Sequence, residues 1–447
     1  MNNKNKYDLL AVSLFWISYL LLCIYFYVER STYADNSYYL FEIIQKKSFC
    51  IQYARYSAAL IQCLPLLAVK LNLSLNAIML AYTISPVILY FGIFLLIRYL
   101  VNDKWVSYIF LATISLTIHD SFFYVNDELN QTSGFLVLMI AILRSEKLNT
   151  TWKVLGLFVV IGILQFAHLF LVLAACAILF IYFIGKKQKI AIVGLCFVVF
   201  IILLKVTLLK GGRDGSSIDS LNWRFITLRN LHSSNFAVFF TKMILTYYLP
   251  AIVLMVVLWI INKINSLTQL LTILSFVAFY ILLVVFLRNS TSEMYNDKYL
   301  SILFLLFWTT IASFITDEKS NKPIVYILFF VAILYSFTKL YKEEKYTKRI
   351  EYLTNLMQGQ PAKQIYLYEN MPKFIQIMSW SVPYETLFIS SIKGETKTIL
   401  IKEAFYKIEP YLSNQTKFFG AEWTFPYKIK LNERYFPLKD EIYVLKK

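Results

Sequence analysis

A row of long apolar runs separated by short charged loops constrains this chain more than any other feature. A helix that crosses a bilayer needs about 20 apolar residues, fewer where the bilayer thins or flanking side chains snorkel. On that measure the sequence predicts eleven spans, at about 8–28, 73–97, 105–118, 131–143, 154–167, 169–184, 190–208, 249–262, 266–287, 299–316 and 323–340. The run from 154 to 184 is divided because Gln165 and His168 fall at its centre. Such polar groups sit more easily at a membrane surface than in hydrocarbon. Only 16% of the residues are charged, against about a quarter in ordinary soluble domains. The expected fold is an all-α polytopic membrane protein of about eleven transmembrane helices.

The charges then orient it. A net charge of +17 in a soluble protein would point to nucleic acid. Here it sorts by side of the bilayer instead. With the N-terminus in the cytoplasm, every short inside loop is basic: Arg98 and Lys104; Arg144, Lys147 and Lys153; Lys186, Lys187 and Lys189; Lys263; Lys319 and Lys322. The short outside loop 119–130 has no Lys or Arg. The acids separate the other way, and most of those before residue 341 face outside, including Glu29, Asp35, Glu42, Asp120, Asp127 and Glu128. Within the spans Lys205 is nearly alone as an ionisable group. Ion-coupled transporters keep acids, His or Arg near the bilayer midplane, so this pattern speaks against a transporter or flippase.

The cysteines, Cys23, Cys50, Cys63, Cys176 and Cys196, show neither CxxC nor Cys/His spacing, which argues against a zinc site or disulfide framework. The first apolar run lacks a small-residue cleavage site and reads as a span rather than a cleaved signal. Residues 341–447 hold 29 of the charged side chains, and that shift marks a boundary between a transmembrane part, 1–340, and a tail, 341–447. In the tail, 342–357 reads as helix and 372–379 as helix-like. Short apolar-alternating runs at 364–368, 386–389, 398–401 and 441–445 read as strands. An odd span count places this small α/β domain outside. Its aromatics, Tyr366, Tyr368, Trp380, Tyr384, Trp423, Phe425 and Tyr427, suit the core of such a domain or a sugar-stacking surface.

The outer loops carry the candidate chemistry. After the first span comes ERSTYADNSYYLFE (29–42), with Asp35 close above the membrane. Then follow Arg55-Tyr56 and an apolar stretch to Lys70. Gln62, Pro65 and Lys70 make that stretch a helix lying along the interface. The plainer reading of Asp35 is a helix cap. The second outer loop places Asp120, Asp127 and Glu128 within nine residues without a basic partner. Packed together they raise one another's pKa, which suits a general base or a bound cation. Glu128, nearest the next span, is the first choice among them. The loop 209–235 reads as a lid or acceptor-contact segment.

One short span, an acid at its outer end, an interfacial helix with an Arg-aromatic pair and about ten further spans resemble the GT-C superfamily of integral-membrane glycosyltransferases. The resemblance covers 1–340 in architecture. It implies transfer of a sugar from a polyprenyl-phosphate carrier to a glycan, lipid or protein acceptor on the outer face of the cytoplasmic membrane of a bacterium. Asp35 matches the family's first-loop acid, and Asp120, Asp127 and Glu128 its second acidic site. That second site binds a divalent cation, Mg or Mn, in some branches. His168 stands at an outer turn where the family often has His. Lys298-Tyr299 stands where many members have Arg-Tyr against the carrier phosphate, with Arg288 as a second cation. Arg55 and Tyr56 match the family's first-loop pair without its frequent prolines. The implied reaction is a single inverting displacement in which Asp35 takes the acceptor proton. The alternatives are a polymerase of lipid-linked surface-polysaccharide units and a flippase for them.

Overall fold

The computed structural model describes residues 3–208 (apart from 53, 127, 186 and 187), 345–403, 419–421 and 431–446, with isolated positions between 238 and 334 and at 412. The expected spans at 249–262 and 299–316 and the loop 209–235 fall outside the described residues, the span at 323–340 is described only at 334, and the span at 266–287 only at scattered helical positions between 270 and 281.

The first apolar run forms α1 (Asn3–Tyr25), and a break at Phe26 leads into the short α2 (Tyr27–Thr32). Next come α3 (Asp35–Lys46) and α4 (Ala59–Lys70). The chain then continues as α5 (Leu75–Leu95), which runs through a wider π turn to Leu100. Five more helices follow: α6 (Lys104–Ser121), α7 (Glu128–Arg144), α8 (Thr150–Gln165), α9 (Leu169–Gly185) and α10 (Ile190–Leu208). Polar residues set several of the starts. Ser74 Oγ accepts the Ala77 amide at 3.3 Å, and Asn149 Oδ1 accepts that of Trp152 at 3.0 Å. These are N-caps, which satisfy amides that a helix leaves unpaired.

Each expected span up to 208 is helical, and the break between α8 and α9 falls at 166–168. Gln165 departs from the expectation. It is buried, and its Nε2 donates to the Val198 carbonyl of α10 at 3.4 Å. With α8 packed against α10, a carbonyl replaces the water that the side chain would otherwise need. One core runs through the bundle, from Phe15, Trp16 and Tyr19 of α1 to Phe94 of α5, Phe110 of α6 and Met139 of α7. Gly134 lets three helices close up: a Cβ there would lie 2.9 Å from Phe110 Cε2 and 3.2 Å from Ile93 Cδ1.

The outward faces are also apolar. Leu10, Leu14, Ile17 and Leu21 form an exposed stripe on α1, opposite its buried Phe15, Trp16, Tyr19 and Cys23. Trp152, Leu155 and Val159 of α8 and Val199, Phe200 and Leu203 of α10 are likewise exposed. Among the described residues one helical stretch, Leu75–Leu100, is by itself long and apolar enough to cross a membrane. The helical stretches Leu9–Tyr25, Gln131–Arg144, Thr150–Gln165, Leu171–Ile184 and Ile190–Leu204 are apolar and shorter.

The tail begins with α11 (Lys345–Met357), followed by β1 (Lys363–Leu367) and the single-turn α12 (Lys373–Gln376). It continues through α13 (Val382–Ser391), β2 (Thr398–Lys402) and β3 (Val444–Lys446). The strands form a parallel sheet in the order β2-β1-β3, with Lys363 opposite Thr398 and Gln364 opposite Val444. Parallel neighbours need a crossover, and α13 supplies the one between β1 and β2. The expected strand at 386–389 is therefore a correction, because those residues belong to α13. Val382 and Ile389 face Ile399 and Ile401 of β2, while Tyr384, Leu387 and Phe388 face Leu40 and Phe41 of α3. A helix buried on both sides carries apolar residues on both, and over a stretch as short as 386–389 periodicity does not separate it from a buried strand.

Candidate functional site

The loop that follows α1 is tied to the bundle by α2. Arg30 is 1% exposed, and its Nη1 donates to the Phe122 carbonyl while Nη2 reaches that of Thr83 at 3.3 Å. Its guanidinium lies 4.2 Å from the centre of the Phe122 ring, a cation–π contact in a desolvated place. Beside it, Ser31 Oγ bonds the Met79 carbonyl and Thr83 Oγ1, each at 3.1 Å. Arg30 was not among the sequence candidates. A charged residue just past an apolar run reads as a snorkelling surface group, and nothing local distinguishes it from one sealed inside.

Asn36 joins this loop to the second one. Its Nδ2 donates to the Arg30 carbonyl at 2.6 Å and to the Phe123 carbonyl at 2.5 Å. Its Oδ1 accepts the Asn126 amide at 3.1 Å. Gln62 of α4 continues the network, donating to Asn126 Oδ1 at 3.3 Å and exchanging two bonds with the Cys50 backbone. Gln131 of α7 donates to the Val125 carbonyl. Tyr33 and Tyr124 share a hydroxyl contact of 3.2 Å, and burial pushes the Tyr33 phenol well up, so it keeps its proton. Segment 122–126 is thus held by side chains of the first loop.

Asp35 is the first residue of α3 and is half-buried. An acid in the first turn favours the helix. The residue before it, Ala34, is fully buried at φ 40°, ψ −117°, a conformation suited to glycine that costs an alanine about 1–3 kcal/mol. Ser37 Oγ bonds the Ala34 carbonyl at 2.7 Å. Nearby, burial raises the Glu29 carboxyl above its ordinary range. Glu42 is buried and pairs with Lys46 one turn on.

Arg55 and Tyr56 lie against the α8–α9 turn. The Ser57 amide donates to the Phe166 carbonyl at 3.1 Å, and the Tyr56 ring meets the Phe166 ring edge-on at 5.7 Å. His168, half-buried, follows two residues later. Asp120 and Glu128 flank segment 122–126, at the end of α6 and the start of α7. The structure therefore gathers Asp35, Arg55, Tyr56, His168 and the backbone at Asp120 and Glu128 at one end of the bundle. Asp127, Arg288, Lys298 and Tyr299 lie outside the described residues.

The opposite end holds the basic residues Arg98, Lys104, Arg144 and Lys147. Arg144 Nε pairs with Asp103 Oδ2 at 3.0 Å, and Asp103 Oδ1 also caps α6 by accepting the Val106 amide at 3.0 Å. Ser145 Oγ donates to the Val101 carbonyl at 3.1 Å. Among the described residues no cluster of three or more His, Cys, Asp or Glu could hold a metal ion. No protein family, curated protein or solved structure matches the chain.

Proposed function

We propose that this chain is an integral-membrane glycosyltransferase, taking a sugar from a polyprenyl-phosphate carrier at the outer face of the cytoplasmic membrane. The observation that carries the reading is the Asn36 bridge. It holds the Asp35 loop against segment 122–126, between the acids Asp120 and Glu128, at the end of the bundle opposite the basic loops. The apolar outward stripes of α1, α8 and α10 support a lipid surround, since a soluble monomer rarely exposes such faces. The basic end then faces the cytoplasm and the acidic end faces out.

The chemistry follows from that layout. The lipid phosphate leaves when cations stabilise its developing charge, a role for Arg55 and for Lys298 and Arg288. Lys neutralises a phosphate as a point charge, where Arg would add a bidentate fork. Asp35 accepts the acceptor's proton as its oxygen attacks the anomeric carbon, and a single displacement inverts that centre. Tyr56 and His168 border the approach. The experiment is transfer from defined undecaprenyl-phosphate sugars by the reconstituted chain, with and without chelator. Asp35→Asn should abolish transfer while expression and melting stay unchanged. Full activity in that variant sinks the assignment, and lipid flipping without sugar transfer would favour the transporter class instead.

A further inference from the structure

The tail packs on the segment that carries Asp35, and among its contacts one buried carboxylate reaches the backbone there. Glu385 of α13 is 2% exposed and forms a two-pronged pair with Arg349 of α11, at 2.7 Å (Nε–Oε2) and 3.0 Å (Nη2–Oε1). Arg349 spends its remaining donors on the carbonyls of Phe374 (2.5 Å), Ile377 (2.9 Å), Met378 (3.2 Å) and Ile375 (3.4 Å). Ser381 Oγ donates to Glu385 Oε1 at 2.6 Å. A carboxylate held from this many sides has one orientation open to it. In that orientation Oε1 also accepts the amide of Ala34 at 3.3 Å, across 351 positions of sequence. Ala34 is the residue in the glycine-like conformation, and its peptide leads directly into Asp35. On the other side Tyr33 is fixed edge-on against Tyr346 of α11, 3.9 Å between ring centres.

We propose that Glu385 is a positioning residue for Asp35: its carboxylate holds Ala34 in a strained backbone conformation and thereby sets where the Asp35 carboxyl stands. The role rests on Asp35 being the general base. A neutral acceptor would bond the Ala34 amide more weakly, and without Arg349 a buried carboxylate would stand unpaired. The pair is thus built to present one oxygen to one amide. Arrangements of this kind matter to rate because a misplaced catalytic group loses its near-attack geometry.

The test uses the full chain in nanodiscs with Glu385→Asp and Glu385→Gln, each alone and combined with Ala34→Gly. The aspartate keeps a charge beside Arg349 but withdraws it from Ala34, so it remains informative where the glutamine fails to fold. Hydrogen exchange in the peptide covering 33–38 should speed up about tenfold in the single variants, as expected for the loss of a bond to a charged acceptor. Turnover of undecaprenyl-phosphate sugar should fall about a hundredfold with KM for the donor unchanged. Ala34→Gly should restore most of that turnover, because glycine adopts the conformation without being held. A merely structural loss in the tail would not be repaired by a change at position 34. Unaltered exchange at 33–38, or a turnover loss that glycine does not repair, overturns the role of Glu385. A wild-type chain that transfers no sugar overturns the glycosyltransferase reading and the catalytic half of this proposal together, while the exchange measurement still decides whether Glu385 holds the loop.

Discussion

The Asn126 amide donates to Asn36 Oδ1 at 3.1 Å, and Asn36 Nδ2 returns a bond to the Phe123 carbonyl at 2.5 Å, so one side chain closes the backbone of a loop ninety residues away. Asn36 is 1% exposed, and water cannot replace it. Asn36→Leu leaves an amide and two carbonyls without their partner and should lower stability by about 3 kcal/mol. Thermal unfolding in detergent would show that loss, and hydrogen exchange should rise in 122–126 while the basic end of the bundle stays as protected as before. Equal protection at both ends would mean that the bridge does not hold the loops together.

A second prediction concerns Asp103, which caps α6 with one oxygen and pairs with Arg144 through the other. Both partners are about one-eighth exposed, at 13% and 12%, so the pair is only partly screened. Asp103→Ala should cost about 2 kcal/mol, combining a lost cap with a lost pair. Asp103→Asn keeps the cap and should cost about half as much. Equal losses in the two variants would show that the cap contributes nothing, and an Asn variant as stable as the wild type would show that the pair contributes nothing.

Glu29 makes stability depend on pH. Burial lifts its carboxyl above the ordinary value of 4.5, so the folded chain holds this proton where the unfolded chain has released it. The contribution is therefore complete below 4.5 and is lost as pH rises through the raised value. Glu29→Gln removes that dependence. Melting curves of the wild type and the variant should converge at low pH and separate as pH rises, with the variant the more stable. A constant difference between them across pH would refute this.

Topology is tested by reporter fusions. Alkaline phosphatase fused at 345 should be active, and at 148, beside Arg144 and Lys147, it should be silent. A silent fusion at 345 would break the eleven-span count and the shared outer face of the acids.

Much of the helical framework up to 208 was legible because long apolar runs leave few other folds open, and the break at 166–168 was marked by Gln165 and His168. Asp35 and segment 120–128 could be picked out because acids at the polar ends of such runs are conspicuous. What could not be read was every interaction between distant parts of the chain. Nothing near Arg30 announces that the Phe122 carbonyl will receive it, and nothing near Ala34 announces Glu385. The helical state of 386–389 was hidden for a related reason. Its two apolar faces belong to different neighbours, β2 and α3, and periodicity records only that both are covered.

That double covering has a consequence for the chain's history. The change in composition at 341 suggests a module that could be moved whole between proteins. Yet Tyr384, Leu387 and Phe388 find their cover on Leu40 and Phe41 and on Phe419 and Phe436, while Val382 and Ile389 find theirs on Ile399 and Ile401. A transplanted tail would arrive with the Tyr384 side of its central helix covered only in part, by its own Phe419 and Phe436, and a truncated chain would leave α3 without its cover from α13. The two halves are expected to be inherited together, with changes in the Asp35 helix answered by changes in α13.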